Sequence, residues 1–149
     1  MRLLLKVVFF VALIAFGHHM YNKTMAGEAA ASAESGANEN GFVETPPLQG
    51  SARNVVTILA PENCPSEQAQ RAAALDAALD EMGIPHTMGD SMSFDMMEGT
   101  PENRAKVDAA VKVFNQGAPA VFINGMAKSN PTAEEVAAEY RRTKGGSAS

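Results

Sequence analysis

The one cysteine of the chain, Cys64, sits between an apolar, β-branched run (Asn54-Val55-Val56-Thr57-Ile58-Leu59-Ala60, then Pro61-Glu62-Asn63) and an Ala-rich stretch opened by Pro65-Ser66-Glu67. A thiol at the start of a helix meets unpaired N–H groups and the positive end of the helix dipole. Both favour the thiolate, the form that attacks disulfides. Pro65 suits the first helical turn, where a missing N–H costs nothing. Glu67 works the other way, because a carboxylate close to a thiolate disfavours it. With no second cysteine in the sequence, an internal disulfide is excluded. Cys64 is then a buried inert thiol, an intermolecular partner or a reactive group.

A second segment has its proline 55 residues beyond Cys64: Gly117-Ala118-Pro119-Ala120-Val121-Phe122-Ile123-Asn124-Gly125. Here a proline leads a short apolar strand that ends in an Asn-Gly turn, a strong hairpin signal. Met88, Met92, Met96, Met97 and Met126 offer soft thioethers which, with Cys64 and His86, form a donor set suited to Cu(I). The competing reading is that methionine fills gaps in a small core or contacts a partner. His18 and His19 follow an apolar run and read as interfacial. The sequence has no Ser-His-Asp arrangement, zinc-ligand spacing or phosphate loop, and Asp80-Glu81 and Glu134-Glu135 fall on solvated helix faces.

The elements that must position these residues follow from periodicity. Val55 to Leu59 is a strand buried on both faces. The helix after Cys64 carries Leu75, Leu79 and Met82 at helical spacing, with Ala72 and Ala78 alongside and Gly83 as its C-cap. Ile84 to Met88 is a second strand, closed by Gly89. Thr100-Pro101 opens a helix whose period is carried by Val107, Val111 and Phe114 and which stops at Gly117. Ala120 to Ile123 and Met126 to Ser129 form a hairpin. Thr132-Ala133-Glu134-Glu135 is a capping box that opens a last helix with Val136 and Tyr140 inward. The βαβ opening implies a parallel strand pair and the hairpin an antiparallel one, giving an α/β domain with a mixed sheet.

The N-terminal part reads differently. Arg2 and Lys6 flank Leu3 to Leu5, and Val7 to Phe16 is an unbroken apolar run, so residues 1–25 read as a signal anchor or a cleaved signal peptide, and the remainder as exported. Residues 26–50, rich in Ala, Ser, Gly, Glu and Asn before Pro46-Pro47, read as a flexible linker. The globular domain is then 51–144, with 145–149 a disordered tail. From Ser51 onward nine Lys and Arg face thirteen Asp and Glu, a net charge of −4 with the signs interspersed. That pattern excludes a basic nucleic-acid footprint.

The Cys64 and Pro119 segments, with this element order over about Asn54 to Arg142, resemble the thioredoxin-fold superfamily and within it the glutaredoxin-like branch. The resemblance implies a βαβαββα domain with a four-stranded mixed sheet. Pro119 then aligns with a cis-proline opposite the cysteine, and Ala118 offers backbone groups to an extended substrate. Cys64 becomes the nucleophile, with Pro65 and Glu67 beside it and Asn63 and Ser66 lining the substrate side. Where relatives carry Cys-x-x-Cys or Cys-x-x-Ser, this chain has Cys64-Pro65-Ser66-Glu67 and so lacks a resolving thiol. The implied activity is a monothiol cycle, with Cys64 holding a mixed disulfide to a client or redox-partner protein, or to glutathione. Pro61 stands where glutaredoxins carry a lysine, and Ser129-Asn130-Pro131-Thr132 where they carry Gly-Gly and an acidic residue. The N–H groups at the start of the last helix remain for a glutathione carboxylate; no resident cofactor is implied. The alternative reading is a non-catalytic protein-binding module on the same fold. The style of the N-terminal segment points to a bacterial inner membrane, with the domain facing the periplasm.

Overall fold

A computed structural model describes residues 36–60, 67–95 and 98–145. The expected signal segment at 1–25, and Asn63, Cys64, Pro65 and Ser66, lie outside the described residues. The described residues all belong to one compact unit, which begins at Gly36. Its elements are β1 (Val43–Glu44), β2 (Val56–Leu59), α1 (Glu67–Glu81), β3 (His86–Gly89), α2 (Pro101–Asn115), β4 (Ala120–Ile123), β5 (Met126–Ser129) and α3 (Ala133–Gly145). They form an α/β unit whose mixed sheet runs β1-β5-β4-β2-β3. β2 and β3 are parallel, and the other pairings are antiparallel.

Side chains alternate across the central strands, as a pleated backbone requires. Val56, Ile58, Val121 and Ile123 face one side, where Leu75 and Leu79 of α1 and Val136 and Ala137 of α3 cover them. Leu59, Ala120, Phe122 and Ala127 face the other, against Ala110 and Val113 of α2. The parallel β2/β3 pair, the antiparallel β4/β5 hairpin and the inward placement of Val136 match the expectation from the sequence.

Local chemistry explains where the helices stop and start. The α1 terminus is a Schellman cap: Gly83 N–H donates to the Asp80 carbonyl and Ile84 N–H to the Leu79 carbonyl. Gly83 adopts φ +65°, which a side chain would disfavour. The Thr100 hydroxyl accepts from the Asn103 N–H, with Pro101 in the first turn of α2. Thr132 and Glu135 exchange both bonds of a capping box: the Thr132 N–H donates to Glu135 Oε2 and the Glu135 N–H to Thr132 Oγ1.

Three expectations are corrected. The sheet has five strands, not four, because the stretch read as linker contributes β1, paired through Val43 to Ala127 and Glu44 to Met126. Phe42 is fully buried on the α1/α3 side and Leu48 is buried on the α2 side, and Thr45 and Pro46 are buried as well. That stretch lacks apolar period because it is held by polar bonds and single anchors rather than by an amphipathic face. Second, Val111 and Phe114 are 41% and 38% exposed, while Ala110 and Val113 take the buried positions of α2. The small Ala110 side chain brings the helix close to the sheet, which rotates the larger residues outward. Third, Met82 is 45% exposed, since it lies in the turn that leaves α1 rather than on its buried stripe.

The N-terminal stretch is fixed by one buried acid. Glu139 on α3 has no solvent exposure. It accepts from Asn38 Nδ2 and Asn40 Nδ2 at 2.9–3.0 Å and from the Arg142 guanidinium. Asn38 Oδ1 in turn accepts from the Asn40 and Phe42 N–H groups, which shapes the loop leading into β1. Burial pushes the Glu139 carboxyl up, but the Arg142 guanidinium and the two amides outweigh it and hold it below the ordinary carboxylate value. The ionised form therefore stabilises the fold fully above the unfolded carboxyl pKa of about 4.3 and less as pH falls through the lower folded value. Glu139→Gln should flatten this acid limb in urea denaturation series run from pH 7 downward. A chain beginning at Ser51 loses Asn38, Asn40 and β1 together and leaves the Glu139–Arg142 pair half-solvated. It should be at least about 3 kcal/mol less stable than one beginning at Gly36, by equilibrium denaturation.

Candidate functional site

Ala118 and Pro119 lie at the start of β4, and the chain around them is held from three sides. Gly117 turns the backbone with φ +129°. The Ser129 hydroxyl donates to the Gly117 carbonyl at 2.8 Å, and the Asn130 N–H donates to the Pro119 carbonyl at 2.6 Å. The Ala118–Pro119 peptide is cis. Ala118 is 9% exposed and Pro119 is fully buried.

Register sets what lies opposite. Ala120 pairs with Leu59, the last residue of β2, and the Ala60 N–H donates to the Gly89 carbonyl at the end of β3. The chain that leaves β2 at Ala60 and enters α1 at Glu67 contains Cys64. It departs from the sheet at the same end at which Pro119 enters it. The Glu67 side chain, the first residue of α1, is 92% exposed and lies 3.7 Å from Arg71 Nη1, a solvated pair that contributes little. Of the sequence-derived site residues, the structure brings Ala118 and Pro119 to the β2 end and Glu67 to the first turn of α1. The remaining four, Asn63, Cys64, Pro65 and Ser66, are the ones outside the described residues.

No family model, curated protein or solved structure matches the chain.

The methionine donor set does not assemble among the described residues. Met126 packs against the α1/α3 side of the sheet and Met92 against the α2 side. Met88 is half exposed on the edge strand β3. Both ring nitrogens of His86 are engaged, Nδ1 with the Ile84 carbonyl and Nε2 with Asp76. The other two methionines, Met96 and Met97, lie outside the described residues. Met92 and Met126 act here as packing residues.

A recess of about 460 Å³ lies at the other end of the sheet. Pro47, Arg53, Asn124, Gly125 and Met126 line it with Arg142, whose guanidinium is committed to Glu139. It is remote from Ala118 and Pro119 because the β4–β5 hairpin turn, which forms its floor, is at the opposite end of β4. No helix of the described residues is long and apolar enough to cross a membrane.

The Ser129 hydroxyl ties the end of β5 to the Gly117 carbonyl. Ser129→Ala should cost about 1 kcal/mol by removing a part-buried hydrogen bond. Urea denaturation would read the loss, and amide exchange at Ala120 should quicken with it.

Proposed function

We propose that the protein is a monothiol thioredoxin-like thiol–disulfide exchange protein, with Cys64 as nucleophile and the Ala118–Pro119 turn as the docking edge for the client. The observation that carries this reading is the shared end of the sheet. The segment bearing the single cysteine leaves β2 where Ala118 and Pro119 lead into β4, with α1 beginning directly after that segment. The βαβαββα order from β2 to α3, with α1 and α3 on one face and α2 on the other, supports the same assignment.

In this reading the thiolate of Cys64 attacks one sulfur of a client disulfide and a mixed disulfide forms. The other client sulfur leaves as a thiolate. Because this chain has no second cysteine, an external thiolate attacks the Cys64 sulfur and releases the second client thiolate, and a second external thiolate then displaces Cys64 as its free thiolate. The two electrons come from these two external thiols, which leave joined as a disulfide. The N–H groups of the first turn of α1 favour the attacking thiolate, and the Glu67 carboxylate opposes it. The proposal includes an exported location on an N-terminal anchor or after signal cleavage, where client disulfides persist. If Cys64 is unreactive, the same docking edge serves a protein-binding module.

Alkylation of Cys64 as a function of pH decides between these. Thiol–disulfide chemistry requires a fast thiolate titrating well below about 8.5, whereas a slow thiol at or above that value assigns the fold to binding alone. Glu67→Gln should speed alkylation at neutral pH by about two- to three-fold at low salt, a small factor because the carboxylate is solvated, and by less at high salt.

A further inference from the structure

Away from the Cys64 end, two carboxylates and an imidazole meet where α1 packs beside β3. Asp76 and Asp80 stand one turn apart on α1, and His86 opens β3. The His86 Nε2 lies 2.9 Å from Asp76 Oδ1 and 3.9 Å from Asp80 Oδ1, and the three donor atoms all fall within 4.8 Å of one another. The imidazole is only 9% exposed, whereas the Asp80 side chain is 80% exposed.

The decisive observation is on the other side of the ring. His86 Nδ1 lies 2.8 Å from the Ile84 carbonyl oxygen. A carbonyl only accepts, so Nδ1 carries the hydrogen. Nε2 is thereby turned toward Asp76 and Asp80, which are acceptors, so the three converging atoms are held together by a cation: a proton on Nε2, which makes a His86–Asp76 ion pair, or a metal ion. Donation from the second ring nitrogen to a backbone carbonyl is also how proteins orient an imidazole that binds metal. In a tetrahedral site with bonds of about 2.0–2.1 Å, donor atoms stand about 3.3 Å apart. The two observed separations bracket that value. Among the described residues neither carboxylate has a Lys or Arg partner.

We propose that Asp76, Asp80 and His86 bind a borderline divalent cation of the Zn²⁺ class, with a fourth position open to water beside the exposed Asp80. One nitrogen and two oxygens suit that ion better than a soft Cu(I) or a hard Ca²⁺. The bound ion would fasten α1 to the edge strand β3, a cross-link independent of Cys64 chemistry.

Calorimetric titration of Zn²⁺ into the full-length chain carrying Cys64→Ser, which removes the thiol as a competing ligand, tests the site. The expected result is a site of one ion per chain that is weakened at least about tenfold in Asp76→Asn, Asp80→Asn and His86→Gln. Because Asp80 is solvated, Asp80→Asn leaves folding intact, and a loss there reports ligation. Zn²⁺ should also raise the melting temperature of the Cys64→Ser chain and leave that of the Asp76→Asn and Asp80→Asn forms unchanged. Absence of binding, or binding with unchanged affinity in both Asp variants, would overturn the proposal and leave a proton as the electrophile between His86 and Asp76.

Discussion

Taking a carboxylate fully out of water is costly, and in this fold the cost at Glu139 is offset by groups that arrive from two different parts of the chain. Arg142 comes from the next turn of the same helix, but Asn38 and Asn40 come from the far N-terminal end of the unit. The acid thus acts as a receptor for a loop. Once Asn38 is seated, its own carbonyl oxygen sets the Asn40 and Phe42 backbone, Phe42 fills the α1/α3 side of the core, and β1 follows onto β5. Lys128 strengthens the same corner by donating to the Asn40 carbonyl while pairing with Glu135. Remove the carboxylate and each of these placements loses its reason.

The opposite end of the sheet is built on a different principle. There the Gly117–Pro119 turn is held by a hydroxyl and a backbone N–H from β5 and the residue after it, with no charge involved. The backbone there is fixed by neutral bonds rather than by an ion pair.

Much of this was legible in the residues because it is local. The β-branched run at 56–59, the Asn-Gly pair at 124–125 and the Thr132/Glu135 capping box each declare themselves within a few positions, and each appears where the spacing placed it. What escaped is non-local or degenerate. Asn38 and Glu139 are 101 residues apart, so the composition of the segment around Asn38, polar and glycine-rich, gave no hint that it had a destination. On α2, Val107, Val111 and Phe114 share helical spacing with the neighbouring stripe of Ala110 and Val113, and periodicity favours the bulkier set. The sheet favours the smaller one because close approach outweighs side-chain size there. The Asp76/His86 contact crosses from a helix to the following strand, a relation that ligand-spacing patterns along the chain do not encode. Cys64 is equally visible in the sequence, whereas the roles expected of Ala118 and Pro119 follow from the resemblance rather than from any periodicity.

Pairing of the first strand with β5, and of the first loop with α3, also governs the order in which the chain can become native. A polypeptide emerging N-terminus first has nothing to pair with Val43 until Ala127 exists, and no carboxylate to accept from the Asn38 and Asn40 amides until Glu139 does. The unit therefore cannot be completed vectorially. Its earliest residues are among the last to find their place, and Phe42 stays uncovered until nearly the whole sequence is available. High sequence separation of this kind slows folding and prolongs exposure of apolar surface, so in this chain the N-terminal strand is a closing latch rather than a nucleus.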